Sequence, residues 1–95
     1  MSNTKETLKQ TILKLADASA KGAAAKARMR ILKPAINGDA ELMDAYYEAG
    51  VEMSLAFEEF KRIRSEAVVA IIEEHDVLRW RVDPLEYAIK KVFNA

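Results

Sequence analysis

The run Lys33-Pro34-Ala35-Ile36-Asn37-Gly38-Asp39 decides how this chain folds, because it gathers a proline, an Asn-Gly pair and an aspartate suited to cap a helix. Such punctuation belongs between two helices. Upstream of it, residues 5–32 are rich in alanine, leucine and lysine, with Gly22 as the one weak helix former. Downstream, residues 39–75 contain no proline and carry a long helical periodicity interrupted only by Gly50. The reading is a long antiparallel helical hairpin.

Beyond it, Val77, Leu78, Trp80 and Val82 interleave with Arg79 and Arg81, which predicts an extended connector over residues 76–82. Asp83-Pro84-Leu85-Glu86 then reads as a capping box with proline at the first helical position. A short third helix over residues 84–94 follows, with Leu85, Ile89, Val92 and Phe93 on one face. The expected fold is all-α, one domain over residues 1–95, assembling into an oligomeric helical bundle. A chain of 95 residues buries only part of its surface alone, so a partner subunit is an expected source of further core.

On a wheel of about 100° per residue, the second helix separates into three stripes. Leu42, Tyr46, Ala49, Met53, Phe57, Phe60, Ala67 and Ile71 form the main apolar seam. Glu52, Glu59, Glu66 and Glu73 recur at heptads as an acidic ridge, with Glu41 and Glu48 close in angle. Met43, Tyr47, Val51, Val69 and Ile72 make a second apolar stripe, which needs either the third helix or another subunit to cover it. With Trp80 these residues are the expected oligomer interface.

The first helix places Leu8, Ile12 and Leu15 on one line and Leu13, Ala20, Ala24, Ala27 and Ile31 on an adjoining one. Its later half is mostly small, which suits close approach of another helix or room for a ligand near the backbone.

Charge divides along the chain. Residues 1–33 hold eight basic and two acidic residues, whereas residues 34–60 hold seven acidic and no basic ones. The two arms of the hairpin should attract each other. A turn near residue 36 makes facing residue numbers add to about 73, opposing Lys14 to Glu59, Lys21 to Glu52, and Arg28 to Asp44 or Glu48. Lys26, Arg30 and Lys33 form a second basic line that this register leaves without an acidic partner. It reads either as a solvated helix end that complements the helix dipole or as an anion site. Arg64 lies on the main seam where an aliphatic residue is expected, and either packs its stem at the bundle edge or joins an anion site bidentately.

Fifteen basic and fifteen acidic residues cancel, so no overall field draws the molecule to nucleic acid or an anionic membrane. Cysteine is absent, which excludes disulfides and thiolate chemistry. No apolar run approaches a membrane span and residues 1–10 lack a signal-peptide core, so a cytoplasmic location and no membrane partner are expected. His75 is the one histidine, and Ile72 stands where a di-iron bundle would need glutamate. Ser19, Ser54 and Ser65 have no neighbouring histidine in sequence, and the scattered glycines build no phosphate loop. Trp80 and Tyr46-Tyr47 read as core or interface anchors.

The expectation is therefore a non-enzymatic protein without metal or cofactor, binding itself and another protein as an adaptor, inhibitor or assembly component. The alternative is capture of a nucleotide or nucleic acid by a basic groove of Lys26, Arg30, Lys33 and Arg64.

Overall fold

A computed structural model describes residues 4–75 and 83–93, which form three helices: α1 (Thr4–Ala35), α2 (Ala40–His75) and α3 (Pro84–Phe93). Among the described residues there is no strand, and no helix is long and apolar enough to cross a membrane. The connector expected over residues 76–82, with Trp80, lies outside the described residues. The chain divides into two compact units. The hairpin unit is Ala16–Phe60, and the terminal unit comprises the described residues of Met1–Leu15 and Lys61–Ala95.

In the hairpin unit α1 runs to Ala35, through Pro34 rather than stopping at residue 32. Pro34 keeps a helical φ but forgoes the bond to the carbonyl four residues back and crowds it, and the helix continues only one residue farther. The helix ends where Asn37 and Gly38 take positive φ of 34° and 82°. Those two residues form a tight turn of the kind Asn-Gly favours, closed by the Asp39 amide donating to the Ile36 carbonyl at 2.6 Å. Asp39 then caps α2, its Oδ1 accepting from the Glu41 and Leu42 amides at 3.0 and 3.2 Å.

The register differs from expectation. Arg28 pairs with Glu52, Gly22 faces Phe57, and Gly50 faces Met29, so facing numbers add to about 80 rather than 73. Lys21 consequently lies near Glu59, not Glu52, and Arg28 meets neither Asp44 nor Glu48. The cause is side-chain direction. Every Cα–Cβ bond leans toward its helix N-terminus, so α1 side chains lean away from the turn and α2 side chains lean back toward it. Partners on α2 must start farther along the chain, and the longer first helix shifts them further. Lys14–Glu59 joins residues of different units. Lys21 also pairs with Asp17 at 3.1 Å, and the Asp17 hydrogen bond and charge, followed by the Glu59 charge, raise its ammonium above the ordinary lysine range.

The inside of the hairpin unit is built from small residues: Ala18, Gly22, Ala25, Ala49 and Ala56 are buried. Part of the small-residue half of α1 thus serves close packing, as expected. An added Cβ at Gly22 would lie 3.0 Å from Cε1 of the Phe57 ring, so the missing side chain is what admits that ring. Phe57 is nevertheless at the rim of the seam and partly exposed, and Ala56 takes the buried position beside it. The line Leu13, Ala20, Ala24, Ala27 and Ile31 faces outward.

The terminal unit has a separate core. Leu8 of α1, Ile71 of α2 and Ala88 of α3 are buried, with Ile12, Leu85, Ile89 and Val92 packed on them. Val68 is also buried. Phe93, expected on the packed face, stays partly exposed with the Lys5 ammonium 5.6 Å from its ring centre. Only half the expected capping box forms. Asp83 Oδ1 accepts from the Leu85 amide at 3.0 Å, while Glu86 turns to Lys90 at 3.1 Å.

Two measurements check these contacts. Reversing charge at Arg28 or Glu52 should each destabilise the chain modestly, and Arg28→Glu with Glu52→Arg should recover the loss through a coupling of about 0.2–1 kcal/mol that fades in salt. Denaturant unfolding of the four proteins reads this, and coupling of Arg28 to Asp44 or Glu48 instead would restore the shorter register. Asp83→Ala should cost about 0.5–2 kcal/mol, because it removes the α3 cap and the Arg64 partner together.

Candidate functional site

Large apolar side chains of the hairpin unit stand outside while alanine fills the inside. Ile31 is 73% exposed, Tyr47 63%, Leu55 61% and Val51 59%, with Met43 also exposed. Burial would release about 1.5–3 kcal/mol for each such aliphatic side chain, so leaving several in water on one short segment is a substantial cost.

Most of them share one face of α2. Met43, Tyr47, Val51 and Leu55 follow at intervals of four, and an open groove of about 370 Å³ runs along the last three, lined by Met29, Tyr46, Gly50 and Ser54 as well. Glu58 stands at its far end. Gly50 forms part of the lining. An added Cβ there would meet only Met29 Cε at 3.6 Å, an ordinary contact, so hairpin packing does not require glycine. What glycine provides is a low point in the groove. The Tyr46 and Tyr47 rings meet edge to face, 5.8 Å apart and inclined at 69°, which gives the groove a rigid aromatic wall.

A second hollow of about 200 Å³ shares Met29 and Tyr46 with the first and is lined by Lys26, Arg30, Lys33 and Met53. The second basic line therefore borders the apolar groove. Within the hairpin unit Lys21 is engaged by Asp17 and Arg28 by Glu52. Among the described residues, Lys26, Arg30 and Lys33 are the cations of that unit with no carboxylate partner. Asp44, Glu48 and Glu58 are likewise without a cationic partner there. Asp44 and Glu48 lie on the flank of the apolar stripe away from α1, while Glu58 lines the groove itself.

The expected site residues thus divide. Lys26, Arg30 and Lys33 come together, as do Met43, Tyr47 and Val51. Arg64 belongs to the terminal unit, where its Nη2 donates to Asp83 Oδ2 at 3.1 Å across the α3 cap. There it meets a carboxylate of its own chain through a single hydrogen bond, both side chains remaining partly exposed. Val69 and Ile72 also belong to the terminal unit, Val69 exposed and Ile72 half-buried; α3 packs beside Ile71 and leaves Val69 uncovered. Trp80 lies outside the described residues. Sequence reasoning missed Met29, Gly50 and Leu55. Leu55 was findable, since it continues the four-residue spacing of Met43, Tyr47 and Val51.

No group of three or more His, Asp or Glu side chains able to hold a metal ion occurs among the described residues. No protein-family model, curated protein or solved structure matches this chain.

The two glycines should respond differently to alanine. Gly50→Ala should raise stability by about 0.5–1 kcal/mol, since helix propensity improves and nothing has to move. Gly22→Ala should gain less or lose, because the Phe57 ring must shift. Thermal unfolding of both variants tests this, and a destabilised Gly50→Ala would mean that packing demands that glycine, within the hairpin or against a partner.

Proposed function

We propose that this is a small non-enzymatic, self-associating helical protein that binds a protein partner through the open face of its hairpin unit, as an adaptor, inhibitor or assembly component. The observation that carries this reading is the inverted distribution of side chains: alanine and glycine inside, Tyr47, Val51 and Leu55 outside. An apolar face rimmed by charge is the usual mark of a docking surface. A methionine and two tyrosines line the groove, residue types that suit adaptable and well-anchored contacts. The partner that fits is an amphipathic helix whose apolar side chains enter the groove while its carboxylates meet Lys26, Arg30 and Lys33. Those cations set orientation and encounter rate more than affinity.

A second reading is capture of an anionic ligand, a nucleotide or nucleic acid, supported by the position of Lys26, Arg30 and Lys33 around the half-buried Tyr46 ring. A cytoplasmic setting suits either reading.

The two readings separate by substitution. Val51→Glu should abolish protein binding with helicity intact, whereas Lys26→Ala with Arg30→Ala should weaken it only several-fold. If an anion is the ligand, the order reverses: the double alanine variant loses calorimetric binding to nucleotide or oligonucleotide, and Val51→Glu keeps it. Nucleic-acid binding would also fall steeply with salt.

A further inference from the structure

The amphipathic acidic helix that the groove calls for is present in this chain, on the outer face of α2. Met43, Tyr47, Val51 and Leu55 supply its apolar stripe, and Asp44 and Glu48 flank that stripe without a cationic partner among the described residues. The same hairpin unit offers Lys26, Arg30 and Lys33 on the other side of the groove, also without a carboxylate. One surface carries both halves of a recognition pair.

We infer that the occupant of the groove is a second copy of this chain, in a two-fold dimer whose two α2 helices run parallel. The inference rests on the protein-docking reading above and names the partner. Charge selects the orientation. Two copies meeting face to face are related by a two-fold axis lying in the interface. If the axis is perpendicular to α2, the helices are antiparallel and each basic rim lies on the other basic rim. With the axis along α2, the helices are parallel and each basic rim lies on the other copy's acidic flank.

The parallel arrangement also preserves level along the helix. Lys26, Arg30 and Lys33 share a hollow with Tyr46, which lies within one helical turn of Asp44 and Glu48. That charge seam is then formed twice by symmetry. Gly50 and Ser54 line the groove beside the stripe, so a second α2 can approach closely there. This accounts for a glycine that hairpin packing does not require.

The test uses the full chain in three steps. Sedimentation equilibrium of the unaltered protein should give twice 10.7 kDa, with Val51→Glu raising the dissociation constant by about tenfold or more; circular dichroism verifies its helicity. The charge-reversed variants Arg30→Glu/Lys33→Glu and Asp44→Lys/Glu48→Lys should each dimerise several-fold more weakly alone and form a mixed dimer when combined. Because the chain has no cysteine, Met43→Cys and Ser54→Cys report orientation without background. These positions are about 16 Å apart along the helix, so a parallel dimer oxidises 43 to 43 and 54 to 54.

Cross-linking of 43 to 54 in the mixture, or no mixed dimer from the charge pair, overturns the parallel arrangement. A 10.7 kDa mass at all concentrations overturns the second copy as occupant. In that event, a partner protein lost on Val51→Glu would keep the docking reading and assign the groove to a different acidic helix. No loss of any partner would defeat both.

Discussion

Close approach of α1 and α2 over Ala18, Gly22, Ala25, Ala49 and Ala56 is the constraint on which the hairpin unit depends. Small residues occupy the fully buried positions between them, and the larger apolar residues of the same segments, Leu42, Met53 and Phe60 among them, are at most half-buried. Alanine brings helix propensity but little apolar area. The unit therefore holds together by intimate contact and capping more than by a voluminous core. Its exposed stripe is the apolar area that the inside could not take up.

The charges follow the same division. On one side of the hairpin, Arg28–Glu52 and the Lys21–Glu59 approach form a solvated seam that fixes how the helices slide past each other. On the other, Lys26, Arg30 and Lys33 border apolar surface and meet no carboxylate of the unit. Opposite roles for two basic lines on one helix come from their angular positions, since each falls on a different flank of the buried alanines. The terminal unit uses charge differently again: Asp83 both caps α3 and receives Arg64, tying α2 to the start of the last helix.

Much of this architecture was legible in the residues. The Asn-Gly turn, the Asp39 and Asp83 caps, three helices and the uncovered stripe of Met43, Tyr47 and Val51 all follow from local chemistry and helical periodicity. The register was not, because it depends on side-chain lean and on where α1 stops, neither of which appears in spacing alone. Arg64 was ambiguous for a similar reason: its partner Asp83 is nineteen residues away and reaches it only through the packing of α3. Phe57 keeps its seam contact, its ring over Gly22, but sits at the rim, and its smaller neighbour Ala56 takes the buried position.

The sequence by itself determined that the chain is helical, where its helices begin, and that more apolar surface exists than one hairpin can cover. These are properties of short segments, governed by backbone propensity, capping and a period near 3.6 residues. Only the tertiary structure decided which cations are already neutralised, which glycine admits a ring and which is left on open surface, and that the basic line borders the apolar groove. Those facts arise from the distance and rotation between two helices, and many sequences with the same periodicity would set them differently.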